Sequence, residues 1–296
     1  MSAVWRDAPE RSHRAALRVM RAIALGLGRP VARLVLLGVA VYFFATSPAQ
    51  RRASRAFLSR ALGRAPTIRE RFRHFHVFAA TVLDRVYLLN ERFDLFEIEI
   101  HGLPQVYAEL DKGGGALLVG AHLGSFEALR ALGRRVTGLR VAMVMYEENA
   151  RMLNEALAAL GPSARQDVIA LGQFDSMLKV RDCLAAGGIA GVLGDRALGD
   201  DETRALPFLG APASFPLGPM RMGRLLRCRM LFMAGLYLGG NRYALHFEPI
   251  ADFSAMPPPS PEQALESYVA CLERHCRAAP FNWFNFYDFW ADDVPA

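Results

Sequence analysis

The chain has 296 residues, 52% of them hydrophobic, with a formal net charge of +6 at pH 7. That length holds one sizeable α/β domain with an appendage and excludes two full domains. A mean hydropathy of +0.14 is high for a soluble enzyme and too low for a polytopic membrane protein.

The charge is unevenly placed. Residues 1–75 carry about fifteen arginines against Asp7, Glu10 and Glu70, a density suited to anionic lipid headgroups or to nucleic acid. These arginines interleave with long apolar runs, and no zinc-finger, RNA-recognition or helix-turn-helix pattern accompanies them. The reading therefore goes to a membrane surface and away from nucleic acid. The first twenty residues lack the continuous apolar core of a cleavable signal. The apolar stretch 22–45 is broken by Arg29, Pro30 and Arg33, leaving about a dozen uninterrupted apolar residues where a spanning helix needs ~20. A single tilted span requires both arginines to snorkel to the headgroups. Otherwise the segment is a re-entrant or in-plane anchor, with a buried core helix as the plain alternative. Residues 50–63 set Ala53, Ala56, Phe57, Ala61 and Leu62 among Arg51, Arg52, Arg55 and Arg60, with Arg64 next, the pattern of a basic amphipathic interfacial helix. Another helix is predicted over 68–89. Residues 1–65 are thus read as anchor and amphipathic helices, and 66–296 as an α/β domain.

From residue 96 short apolar runs alternate with helical stretches. Strands are predicted at 96–100, 116–120, 141–146, 168–171, 189–194, 230–238 and 243–248. Helices are predicted at 104–111, 126–135, 149–160, 175–186, 216–227 and 262–278. This alternation predicts an α/β fold with a mostly parallel central sheet flanked by helices. Gly239-Gly240-Asn241 joins the last two strands as an antiparallel hairpin. The four cysteines have no disulfide spacing, and no metal-ligand pattern is present.

The segment with chemistry in it is Leu117-Leu118-Val119-Gly120-Ala121-His122-Leu123-Gly124-Ser125-Phe126-Glu127. A buried strand delivers His122 to a small-residue turn at its carboxyl end, where open α/β sheets form their sites. With His122 ahead of a helix and Glu127 in its first turn, the two side chains can converge. Glu127 would then fix the imidazole tautomer and leave the other nitrogen as a general base. Ser125 lacks the Gly-x-Ser-x-Gly setting of a serine nucleophile and reads as a helix N-cap. Gly113-Gly114-Gly115 lacks the lysine of a phosphate loop. His74 and His76 read as structural or interfacial, while His101, His246 and His275 carry no motif.

His-x4-Glu on a strand-to-helix turn resembles the signature of the lysophospholipid acyltransferase superfamily, in its bacterial lipid A late acyltransferase branch. Tyr146 and Asn149 resemble that branch's Tyr-x-x-Asn segment, Gly194-Asp195-Arg196 its acidic-basic motif, and Pro207-Phe208-Leu209-Gly210 with Pro212, Ala213 and Pro216 its substrate-proximal loop. The resemblance spans residues 15–290. It implies a glycerol-3-phosphate acyltransferase-like fold, His122 and Glu127 as the catalytic pair, and Arg196, Asp195, Asn149 and Tyr146 near the substrate or oxyanion. Arg196 would bind phosphate or stabilise the oxyanion, with Asp195 holding it in place. It further implies an acyl carrier protein or coenzyme A thioester as donor, a lipid acceptor, and no bound cofactor or metal. The implied location is the cytoplasmic face of a bacterial inner membrane. Acidic residues in 199–204 and the aromatic end at 282–287 depart from the branch and point to a divergent subgroup. A lipid hydrolase or thioesterase on the same scaffold, or a non-catalytic membrane-binding relative, are the alternatives.

Overall fold

A computed structural model of the chain describes residues 14–129, 139–146, 167–172, 175–197 and 201–290. The strands are β1 (Glu97–His101), β2 (Ala116–Gly120), β3 (Val141–Tyr146), β4 (Asp167–Leu171), β5 (Ile189–Leu193), β6 (Thr203–Phe208), β7 (Ala211–Pro216), β8 (Arg229–Gly239) and β9 (Arg242–Asp252). The helices are α1 (Arg14–Thr46), α2 (Pro48–Leu62), α3 (Ile68–Leu89), α4 (Leu103–Asp111), α5 (Ser176–Ala185), α6 (Gly218–Leu225) and α7 (Pro261–Ala278).

Strand β2 shows why the layers form. All five of its residues are buried, as a strand covered on both faces must be. Side chains alternate between faces with a period of two. Leu117 and Val119 enter a core shared with α2, α5 and α7, while Ala116 and Leu118 enter a second core shared with α1, α3 and α4. Helices therefore cover both faces of a seven-stranded sheet ordered β1-β9-β8-β2-β5-β3-β4. Every pairing in it is parallel except the β8–β9 hairpin, so the α/β class and the mostly parallel sheet read from the sequence are correct.

One pair of strands was not expected. Residues 203–216 form a separate antiparallel ribbon, β6–β7, in which Pro207 faces Pro212. The resemblance gave this stretch as a substrate-proximal loop, and its three prolines, which cannot donate to a ladder, carry no strand signal. In a two-stranded ribbon the missing donors cost little, because no third strand needs them. Leu209 and Gly210 make its two-residue turn, both at positive φ, and the Leu209 N–H is held by Glu273 of α7 at 2.9 Å.

Helix α3 begins with a capping box in which Thr67 accepts from the Glu70 N–H and Glu70 accepts from the Thr67 N–H. Helix α1 is interrupted at Gly28, whose φ of 80° no helix tolerates, and Pro30 opens the next turn with its fixed φ. Beyond the kink, Gly28–Thr46 is long and apolar enough to cross a membrane, and 17% of it is buried. Ala32, Leu36 and Ala40 form the buried stripe, at helical spacing, while Leu34, Leu37, Val41 and Tyr42 are exposed.

The two arginines in this segment do not point outward as snorkelling requires. Arg29 forms a bidentate pair with Asp84 of α3, both contacts at 2.8 Å, and Arg33 reaches the same carboxylate at 3.2 Å and the Tyr237 hydroxyl at 2.7 Å. Tyr243 donates to Asp84 as well, at 3.0 Å. A fully buried carboxylate attracts guanidinium groups more strongly than a distant headgroup layer can, and it fastens α1 to α3. Asp84→Ala leaves two guanidinium groups facing a neutral methyl. The expected loss is ~3 kcal/mol in denaturant unfolding, the low end for breaking a buried pair because both arginines keep some water. An unchanged unfolding midpoint would show that the arginines relax to solvent freely.

Candidate active site

Strands β2 and β5 are neighbours in parallel register, with Gly120 opposite Leu193. Continuing two residues past each strand end brings His122 beside Asp195. The turn is tied at every step. Gly194 N–H donates to Gly120 O at 2.9 Å, Gly124 N–H to Asn282 O at 2.8 Å, and Ser125 N–H to Gly235 O at 2.7 Å. Gly124 has a φ of 74°, and a Cβ there would lie 1.9 Å from Gly235 O, so only glycine fits.

The His122 Nδ1 lies 2.8 Å from Asp195 Oδ1, and the His122 backbone N–H donates to Asp195 Oδ2 at 3.0 Å. Trp283 Nε1 and Asn285 Nδ2 donate to the same Oδ2 at 3.1 and 3.0 Å. Asp195 is 0% exposed. Burial alone would raise its pKa, but the facing imidazole, its hydrogen bonds and the charge of Arg196 outweigh that and hold the carboxyl well below the usual range. An ionised carboxylate only accepts, so Nδ1 carries the proton and Nε2 keeps its lone pair. Nε2 has no hydrogen-bond partner among the described residues. The His122 side chain is 32% exposed at the edge of the site. Surrounding protein and the Arg196 charge push its pKa below the ordinary histidine value, with Arg85 adding to the effect and Asp195 opposing it.

The carboxylate that orients His122 is therefore Asp195, where the sequence reading put Glu127. Glu127 is 3% exposed and turned the other way. Its Oε1 pairs with Arg85 Nε of α3 at 2.8 Å, and its Oε2 accepts from Ser125 Oγ at 3.1 Å. The hydroxyl of Ser125 thus serves Glu127. The physical reason is the turn. Residues 126–129 form a single 3-10 turn, which swings Glu127 toward α3, whereas the parallel register already fills the Nδ1 side of His122.

The described part of the predicted 126–135 helix is that turn. Asp195 was also expected to hold Arg196. Instead Asn285 stands between them, donating to Asp195 and accepting from Arg196 Nε at 2.7 Å. Arg196 also donates to Phe284 O at 3.1 Å and lies over the Tyr287 ring. Tyr146 ends β3, its side chain outside the described residues, and Asn149 and the predicted 149–160 helix lie outside them altogether.

Sequence reasoning missed the C-terminal contribution. Asn282 pins that segment to β8, accepting from Tyr237 N–H at 2.8 Å and donating to Tyr237 O at 3.2 Å. Phe284 N–H donates to His122 O at 2.7 Å. The signal was present as two asparagines, Asn282 and Asn285, set among aromatic residues, since polar groups in so apolar a run need buried partners. His74 is also buried there, between Ser54 Oγ at 2.9 Å and Trp283 O at 2.8 Å, and burial lowers its pKa to about 4. It is a neutral structural histidine beneath the site.

A histidine held by a buried carboxylate at the carboxyl ends of a mostly parallel sheet is the feature the fold places at its centre. The family comparison is more specific: the model of the bacterial lipid A biosynthesis acyltransferases matches residues 13–291. The chain belongs to that family, and its chemistry is acyl transfer. No curated protein matches the chain.

Proposed function

We propose that this protein moves a fatty acyl group from a thioester, carried by acyl carrier protein or coenzyme A, to a hydroxyl of a lipid or lipid-linked acceptor. The observation that carries the reading is the bond from His122 Nδ1 to buried Asp195, which leaves Nε2 as the base. The acceptor oxygen attacks the thioester carbonyl carbon while its proton passes to Nε2. The carbonyl electron pair moves to oxygen, then re-forms the double bond and breaks the C–S bond, and the departing thiolate takes the proton from His122. Asp195 faces the imidazolium that exists between these steps. Arg196, fixed by Asn285 and Phe284, supplies positive charge suited to a substrate phosphate or to the oxyanion. This sequence of steps calls on no bound cofactor beyond the donor.

Membrane association is part of the same proposal. The exposed apolar face of Gly28–Thr46 and the basic helix α2 behind it support a lipid-bound chain. A cytosolic donor places the α/β domain on the cytoplasmic face of the inner membrane. The test is to offer purified protein labelled acyl carrier protein and labelled acyl-coenzyme A, each with a bacterial lipid extract. A new labelled lipid is the expected product, and its mass identifies the acceptor. Free fatty acid alone would replace the transfer reading with hydrolysis, and no turnover of either donor would remove the catalytic reading.

A further inference from the structure

We propose that Glu127 serves turnover through Arg85: Glu127 and Ser125 seat the Arg85 guanidinium at the site, where it offsets the negative charge developing on the thioester oxygen. The inference rests on the acyl-transfer reading above and adds a residue that nothing in the His-x4-Glu pattern indicates.

Three observations carry it. First, Glu127 is a buried carboxylate whose two oxygens are engaged by Arg85 and Ser125. A carboxylate so occupied acts by holding its cation. Second, the seat is rigid on both sides. Ser125 is itself buried and fixed to β8 by its backbone, and Arg85 follows Asp84, which two arginines and Tyr243 lock into the core. Third, Arg85 keeps 45% side-chain exposure, and neither of its terminal nitrogens has a hydrogen-bond partner among the described residues. A guanidinium anchored through Nε offers those remaining N–H groups to a ligand.

The charges fit the reaction. His122 is bonded to Asp195 and feels the charges of Arg196 and Arg85, while Glu127 sits behind Arg85 as its counter-charge, so the charges balance at two of each sign. Such a site suits an uncharged hydroxyl and an uncharged carbonyl in the ground state. The tetrahedral intermediate adds an imidazolium and an oxyanion. Asp195 already faces the first, and an arginine seated by the second carboxylate matches the other.

The test is a double-mutant cycle on acyl transfer, with Arg85→Ala, Glu127→Ala and the pair, each with a melting curve. Each single variant is expected to lower kcat by ~10²-fold, the usual effect of losing one oxyanion donor, with KM for donor and acceptor unchanged. The pair is expected to lose no more than either alone, because one variant already removes the unit. Arg85→Lys should recover part of the rate. Arg85 opposes protonation of His122, so the acid limb of the Arg85→Ala pH profile should move to higher pH. A structural role moves the melting curve without moving that limb. Near wild-type turnover by Arg85→Ala, losses that multiply in the pair, or a loss confined to KM would each overturn the proposal. The failure of the parent reading looks different: wild-type protein then turns over no thioester at all, and both fall together. If water is the acceptor, the same cycle still reads the Arg85 step.

Discussion

His122→Ala is expected to lower turnover by at least ~10³-fold while leaving the fold in place. The loss follows from Nε2, the base in the proposed transfer. The survival of the fold follows from the backbone, since His122 N–H and C=O are bonded to Asp195 and Phe284 whatever side chain stands there. Asp195 also keeps its bonds from Trp283 and Asn285, so removing the ring leaves its charge solvated by donors. Steady-state rates and thermal unfolding of the same preparation check both halves. Residual activity near wild type would remove His122 from the chemistry, and collapse of the fold would make it a structural residue.

Asp195→Asn is expected to be nearly as damaging, at ~10³–10⁴-fold, the cost of presenting a base in the wrong tautomer. Asp195 accepts from four N–H donors, and an amide puts an NH₂ among them. The imidazole relieves the clash by moving its proton to Nε2, the nitrogen that has to be free. The pH profile separates this from simple unfolding. The carboxylate raises the His122 pKa, so its loss moves the acid limb to lower pH, opposite in sign to the shift for Arg85→Ala. The wild-type limb should already lie below the ordinary histidine value of about 6.5. Stability carries a sign as well. The Asp195 pKa is depressed on folding, so its contribution is complete above the unfolded value near ~4 and is lost as pH falls below it. An Asp195→Asn enzyme with wild-type rate and limb would leave His122 oriented by something else.

Local patterns carried the sequence reading where the structure is local. The run 116–120 identified itself as a buried strand, the β8–β9 turn as a hairpin, and His122 as a residue at a strand end. The assignment failed where partners come from far away. Asp195 meets His122 because β2 and β5 are paired, a fact about two strands 73 residues apart that no window around either residue contains. Glu127, five positions away, was the nearest carboxylate along the chain, but the 3-10 turn takes it to α3. The reading of 22–45 stayed open between span and in-plane anchor because Asp84, the counter-charge of Arg29 and Arg33, lies on another helix. The ribbon β6–β7 was hidden by prolines, whose exclusion from strands weakens once a ribbon has no further neighbour.

The tie between His122 and residues 282–285 sets an order of events during synthesis. Helix α1 leaves the ribosome ahead of the α/β domain and, on the proposed reading, can meet a membrane before that domain is made. Trp283 and Asn285, which complete the bonding of Asp195, emerge more than two hundred residues later. If the chain is lipid-bound as proposed, attachment can thus come long before Asp195 and His122 are locked in place, and so before any activity that depends on them.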